Sequence, residues 1–153
     1  MNIFVLHTDP KIAAQMMCDK HVVKMIVESN QMLSTVARKY GHEAPYRSTH
    51  ANHPCTLWAG ESVQNWQWLV DHSAALCEEY TRRYHRVHKS QAVSEWAKSL
   101  NIHLPPTGLT PFCLAMPNAY KHKDPVRSYR AYYIGEKARF AKWKTGNIPS
   151  WWK

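Results

Sequence analysis

Three side chains suited to acid–base chemistry and phosphate binding recur at helical spacing near the start of the chain. Lys20, Lys24 and Glu28 are four residues apart, so on an α-helix they stack on one face about 6 Å apart. A solvated surface with an ion pair is one interpretation. Against it, Lys before Glu is the less favourable order for a helical pair, and the same face collects His21 and Gln31. The functional interpretation is a Glu28 carboxylate for acid–base or cation-stabilising work, flanked by lysines for phosphates.

The C-terminal part of the chain concentrates positive charge among aromatic rings. Residues 119–153 hold nine of the 20 Lys and Arg but two of the 11 acids, a net charge of +7 out of +9 for the whole chain. Cations neutralise phosphates, and aromatic faces stack on exposed bases with about 1–3 kcal/mol per base. The candidate contacts in this segment are Arg127, Arg130, Tyr132, Tyr133 and Lys137. Several rings must also pack in the core, but the charge imbalance makes nucleic acid the leading partner.

A histidine-rich loop offers a second set of chemically active side chains. Zinc accepts imidazole and thiolate ligands in tetrahedral sites. The candidate ligands would be His50, His53 and Cys55, completed by Asp19 or His21. This spacing is not an established pattern of closed zinc sites. The favoured interpretation is that His53 or Asn52 caps the second helix, while the loop lies beside the polar face of the first helix and contacts nucleic acid through His50, Asn52 and His53.

The start of the chain is itself a possible reagent. An α-amine has a reference pKa of about 7.7–8.0, against about 10.4 for lysine, so a larger fraction is unprotonated at neutral pH. An amine that attacks a sugar C1′ atom gains from this difference and from being held by a buried segment. Residues 3–6 form such an apolar segment beside Met1 and Asn2. Most N-termini are only solvated, so this feature alone indicates little.

The composition limits the class of protein. A length of 153 residues predicts one domain over residues 1–153, and 44% apolar residues with seven Trp exclude disorder. No run reaches the ~18 apolar residues of a membrane span, and no signal peptide is recognisable. The four cysteines form no C-x-x-C pair. We therefore expect reduced thiols, a cytoplasmic location and no membrane partner.

The residues above must be positioned by helices. Caps, prolines and glycines predict a mainly α, single compact helical domain that begins with a short extended segment at residues 2–6. The helices should run from Pro10 to Tyr40, from Pro54 to His88 with an interruption at Gly60, from Ser90 to Leu100, and from Pro125 to Lys144. Residues 101–118 contain four prolines and should form an irregular connection. Trp58, Trp66 and Trp68 are expected in the core.

Three short tracts resemble those of a known family, the pyrimidine-dimer DNA glycosylases. The opening Met-Asn-Ile-Phe-Val-Leu-His-Thr-Asp-Pro-Lys is similar to the start of these proteins. Asn52-His53-Pro54 resembles their Asn-His-Pro motif ahead of the second helix. The tract from Tyr132 to Lys137 resembles an aromatic Tyr-Tyr-Gly-Lys tract near the C-terminus of a phage member. The matches are short, but they keep their order over most of the chain.

The resemblance implies a small helical fold whose N-terminal amine attacks the deoxyribose of a damaged nucleotide. A Schiff base forms, the base leaves, and a glutamate on the first long helix assists this step and strand cleavage, without a metal or cofactor. The duplex is kinked and a nucleotide is extruded. Carried over to this sequence, the nucleophile is the amine of Met1 or Asn2 and the carboxylate is Glu28, with Asp19 as second candidate. His21 on the same face is a further catalytic candidate.

The sequence departs from the family at two points. Its first helix lacks the family's Arg-Glu pair, and Lys20 and Lys24 stand where the family uses arginines. Asn2 is a poor context for removal of the initiator Met1.

Three hypotheses follow. The leading one is a monomeric DNA glycosylase, with or without an AP-lyase step, that removes a damaged or modified pyrimidine from double-stranded DNA. The second is a non-catalytic basic DNA-binding protein. The third is a zinc-dependent nuclease centred on His50, His53 and Cys55.

Overall fold

Six α-helices and no β-strand make up the fold, in a computed structural model that describes residues 1–153. The helices are α1 (Pro10–Met16), α2 (Asp19–Lys39), α3 (Pro54–Ala59), α4 (Val63–Tyr84), α5 (Gln91–Ser99) and α6 (Pro125–Glu136), with a 3-10 turn at Asn118–Tyr120. The predicted helical class is confirmed. The segment ahead of α1 is non-helical, and residues 2–6 are buried.

The helix starts follow the local sequence signals. Proline occupies the first turn of α1, α3 and α6, where its missing N–H costs nothing. The preceding residue of each helix, Asp9, His53 or Asp124, accepts a hydrogen bond from the amide two positions on, at 2.8, 3.1 and 3.0 Å. The predicted capping role of His53 is therefore confirmed.

The first predicted helix is broken in two. Instead of one helix from Pro10 to Tyr40, the chain becomes extended at Met17 (φ −69°, ψ 141°) before α2 begins. The cause lies in α4, where the Arg83 guanidinium donates to the carbonyls of Gln15 at 3.1 Å and Met17 at 2.8 Å. Arg83 is 1% exposed. Its buried donors satisfy the carbonyls that a continuous helix would have used.

The second predicted helix is divided at Gly60, as anticipated. Gly60 ends α3, and Ser62 starts α4 by accepting the amide of Asn65 at 3.0 Å. α4 ends at Tyr84 rather than His88. Gly41, with φ 86°, follows the end of α2 as predicted.

The last helix is shorter than predicted, since it ends at Glu136 and not at Lys144. The amide of Asp19 donates to the Lys142 carbonyl at 2.8 Å, and the Asp19 carboxylate accepts the amide of Lys144 at 2.8 Å. These two hydrogen bonds hold residues 142–144 against the start of α2. Tertiary contacts thus override the helical propensity of the segment.

The core lies mainly among α1, α2 and α4. The apolar side of α2 and its N-cap residue are buried in this core, namely Cys18, Val22, Met25, Ile26, Leu33 and Val36. Trp58, Trp66 and Trp68 are buried as predicted. None of the helices has the length and apolar character that crossing a bilayer requires.

The free energy of unfolding should fall on acidification from about pH 6.5 to pH 4 because of His72. Its Nδ1 atom donates to the Pro10 carbonyl at 2.9 Å, and burial lowers the pKa of His72 from 6.5 to about 4. In this window the unfolded chain binds a proton that the folded chain does not, which costs about 3 kcal/mol of stability. Urea unfolding at pH 7 and pH 4 measures the effect.

A His72→Gln variant keeps an amide donor for Pro10 but cannot titrate. It should lose about 3 kcal/mol less than the unmodified protein over the same pH range. Equal pH dependence in the two proteins would contradict the assignment to His72.

Candidate active site

The N-terminal segment folds back on itself before it reaches α1. The Asn2 side-chain oxygen accepts the amides of Ile3 at 2.8 Å and Phe4 at 3.0 Å, which is an Asx turn. Phe4 follows with φ 45°, a left-handed conformation that is uncommon for a bulky residue. This turn directs Met1 back toward α2.

The turn brings the chain terminus to Glu28. The α-amine of Met1 lies 3.2 Å from Glu28 Oε1, and the amide of Asn2 donates to the same oxygen at 3.0 Å. Lys24 Nζ is 3.7 Å from Glu28 Oε2. The Glu28 side chain is only 11% exposed, and three positive or donating groups satisfy its carboxylate.

A small pocket of about 150 Å³ surrounds this contact. The Phe4 ring stacks on His21 at 4.4 Å between centroids and lies 6.0 Å from the nearly parallel ring of Tyr132. Lys137 Nζ is 4.8 Å from the Tyr132 ring centroid and 5.7 Å from that of Phe4. The pocket therefore combines an amine, a carboxylate and an aromatic wall with a cation over it.

His21 is buried in the wall of this pocket. Its Nδ1 atom is 2.6 Å from the hydroxyl of Tyr133. Burial, and after it the charges of Lys137, Lys24 and Lys20, lower the pKa of His21 from 6.5 to about 3. His21 is therefore neutral at physiological pH and faces the pocket as an uncharged ring.

A cationic cleft of about 460 Å³ adjoins the pocket and shares three of its lining residues, His21, Lys24 and Lys137. The cleft is completed by Lys20, Arg139 and Phe140, and no carboxylate lines it. Lys20 Nζ lies 4.9 Å and the Arg139 guanidinium 5.9 Å from the Phe140 ring centroid. Of these four converging cations only Lys24 is paired with a carboxylate, Glu28. Such an arrangement can hold phosphates.

The loop with the predicted nucleic-acid contacts His50, Asn52 and His53 lies beside the Met1 α-amine. Burial lowers the pKa of His53, and so do the positive charges of the α-amine and His50, whereas Glu28 raises it. Asn52 is exposed and lines a separate depression of about 470 Å³ with Thr35 and Lys39, farther along α2. The loop thus extends the polar face of α2 beyond Glu28.

The zinc hypothesis is not supported by the side-chain positions. No group of three His, Cys, Asp or Glu residues is arranged to hold a metal ion. His50 Nδ1 instead pairs with the Thr49 hydroxyl at 2.8 Å, and Cys55 Sγ faces Cys113 Sγ at 3.1 Å. His50, His53 and Cys55, the proposed zinc ligands, therefore each contact another group.

Three of the predicted site residues have other partners. Asp19 pairs with Arg83 at 3.0 Å and fixes the start of α2. Arg130 donates to the Leu6 carbonyl at 3.0 Å, so its guanidinium holds the N-terminal segment. Tyr133 is fully buried and has no face free for a base. The structure thus places Asp19, Arg130 and Tyr133 in contacts within the fold, and none of them lines the pocket or the cleft.

The remaining predicted contact, Arg127, is exposed on the first turns of α6. Sequence reasoning missed Phe4 and Arg139 as residues of the site. Arg139 belongs to the basic aromatic segment and could have been named with Lys137. Phe4 carries no local signal, because left-handed backbone is usually marked by Gly or Asn.

Comparison with known proteins identifies the family. A family model of pyrimidine dimer DNA glycosylases matches residues 1–92, the part of the chain that contributes Met1, Lys20, Lys24 and Glu28. No curated protein and no solved structure matches the chain significantly. Since the match covers more than half of the 153 residues, the chain belongs to the pyrimidine dimer DNA glycosylase family.

Proposed function

We propose that this protein is a DNA glycosylase with an AP-lyase step, which removes a damaged or modified pyrimidine by attack of its N-terminal α-amine on the sugar C1′ atom. The observation that carries the proposal is the 3.2 Å contact between the Met1 α-amine and Glu28, at the edge of a cleft with four cations. Family membership supplies the DNA substrate and the reaction class.

In the first step, the amine nitrogen forms a bond to C1′ while the bond from C1′ to the pyrimidine N1 breaks. The electron pair of that bond leaves with the base, which is then protonated. The Glu28 carboxylate accepts a proton from the ammonium group and passes it to the departing base. As an anion again, it stabilises the cationic sugar. The sugar ring then opens as a proton passes from the amine nitrogen to O4′ and the nitrogen lone pair forms the C1′=N bond. The product is the iminium form, a Schiff base between the chain terminus and the DNA.

The same site supports both possible forms of the terminus. Met1 places its α-amine at 3.2 Å from Glu28 Oε1, and the backbone nitrogen of Asn2 lies at 3.0 Å from the same oxygen. Removal of Met1 would turn that nitrogen into the α-amine. Either residue can therefore supply the nucleophile.

In the lyase step, the Glu28 carboxylate takes a C2′ proton from the Schiff base. The electron pair of that C–H bond forms a C2′–C3′ double bond, and the C3′–O3′ bond breaks to expel the 3′ phosphate. The charge on that phosphate increases as the bond breaks. Lys20, Lys24, Lys137 and Arg139 line the adjoining cleft, and we assign them to this phosphate and its neighbours. The half-buried Tyr132 contacts the displaced nucleotide, with Arg127, His50, Asn52 and His53 on the flanking backbone.

Borohydride trapping on a duplex with one abasic site tests the proposal. Reduction of the Schiff base should yield a stable covalent adduct, and mass spectrometry should locate it on the N-terminal peptide. Adduct formation should persist in EDTA, since no step uses a metal. Absence of an adduct, together with no base release from a panel of damaged and modified pyrimidines, would leave the non-catalytic DNA-binding alternative.

A further inference from the structure

A short segment far from the N-terminus in sequence holds the catalytic turn in place. We call residues 113–115 the strap. They lie in the connection between α5 and the 3-10 turn, which has no helix or strand of its own. The Ala115 carbonyl accepts a hydrogen bond from the Asn2 side-chain nitrogen at 2.8 Å. The other end of the Asn2 side chain forms the turn that returns Met1 to Glu28.

The strap is itself fixed by one buried hydroxyl group on α6. Tyr129 donates its hydroxyl hydrogen to the Cys113 carbonyl at 2.6 Å, and its oxygen accepts the Ala115 amide at 3.3 Å. Tyr129 is fully buried, and burial raises the pKa of its phenol well above the usual value. The hydroxyl therefore stays protonated and keeps both bonds. The strap needs such specific partners, because irregular backbone lacks the regular hydrogen bonds of a helix or a sheet.

We propose that Tyr129 is a positioning residue of the active site, which acts through the strap and Asn2 to aim the α-amine at Glu28. A continuous series of hydrogen bonds joins Tyr129 to Glu28. The Tyr129 hydroxyl bonds to the strap, and the Ala115 carbonyl accepts the side-chain nitrogen of Asn2. The backbone amide of Asn2 then donates to Glu28 at 3.0 Å. Both Tyr129 and the strap lie outside residues 1–92. The second half of the chain thus shapes the geometry of a reaction whose reacting groups all lie in the first. The proposal rests on the function proposed above.

Tyr129→Phe removes the hydroxyl and keeps the ring that packs edge-on against Phe4 at 6.2 Å. With the strap released, we expect covalent trapping at saturating DNA to slow about tenfold, with little change in the affinity for DNA. A second readout needs no DNA. A small acylating reagent should label the N-terminal amine several-fold faster than in the unmodified protein, because the amine spends less time on Glu28.

Tyr46→Phe is the control. It removes the phenol hydroxyl of a half-buried tyrosine, which is bonded at 2.5 Å to Ser90 and lies outside the pocket, the cleft and the strap. It should lower Tm but change neither trapping nor labelling. Asn2→Asp keeps the acceptor of the turn and loses the donor to Ala115. It should repeat the faster labelling seen with Tyr129→Phe.

The positioning role is overturned if Tyr129→Phe labels and traps at the rates of the unmodified protein, or if Tyr46→Phe changes both rates equally. The two proposals fail separately. An unmodified protein that forms no adduct refutes the proposed function, whereas faster labelling in Tyr129→Phe and Asn2→Asp still shows that the strap holds the amine.

Discussion

Glu28→Gln is expected to slow base release at saturating DNA by about 10³-fold, while DNA affinity stays the same or increases. The variant keeps the shape of the side chain but cannot accept a proton or carry the negative charge that stabilises a cationic sugar. It also removes a negative charge beside four cations, which favours binding of a polyanion. Single-turnover base release and fluorescence anisotropy at one fixed salt concentration measure the two effects.

Glu136→Gln is the matched control. Glu136 is an exposed carboxylate that lines the depression next to the cleft, together with Lys137 and Arg139. Its replacement makes the same chemical change a short distance away and should leave base release unchanged. Near-normal base release by Glu28→Gln would remove Glu28 from the chemistry. An equal loss in both variants would point to charge alone.

Local sequence signals were sufficient to predict where α1, α3 and α6 begin, because a cap and a proline act on the adjacent turn. They could not predict the break before α2. That break depends on Arg83, whose buried guanidinium reaches Gln15 and Met17 from α4. Nor could they predict the early end of α6, which follows from bonds between Asp19 and the chain beyond the helix. Such boundaries are set by contacts distant in sequence.

The same limit applies to the candidate site. Helical spacing placed Lys20, Lys24 and Glu28 on one face, and the structure brings all three to the pocket or the cleft. Spacing could not distinguish a cation that faces a ligand from one that satisfies a backbone carbonyl. Arg130 and Lys137 lie on the same segment. Arg130 donates to the Leu6 carbonyl, whereas Lys137 lies over the Tyr132 ring in the pocket.

Two neighbouring tyrosines on α6 show that packing decides which side chain faces the site. Tyr132 and Tyr133 are neighbours, and a helix points successive side chains about 100° apart. Tyr133 therefore enters the core, while Tyr132 lines the pocket. Choosing between them requires the orientation of α6 relative to the core, and that orientation depends on the strap and the N-terminal segment. Neither element has a periodic pattern in the sequence.

Extending the chain by Gly-Ser ahead of Met1 is expected to abolish the borohydride adduct and base release altogether. The extension converts the α-amine at 3.2 Å from Glu28 into an amide, which has no basic lone pair for attack on C1′. It also places two residues at a pocket of only about 150 Å³. Trapping on abasic DNA, scored by gel shift under denaturing conditions, measures the loss.

The same Gly-Ser extension after Lys153 is the control, and it should leave the adduct intact. An adduct that persists with the N-terminal extension would have to arise from another amine. Peptide mapping would then identify that amine, and Lys24 is the leading candidate because its Nζ lies 3.7 Å from Glu28. A lysine needs its pKa lowered to act at neutral pH, whereas an α-amine is closer to the required range. Retention of the adduct on Lys24 would thus transfer the nucleophile from the chain terminus to α2, with Glu28 still serving as its partner.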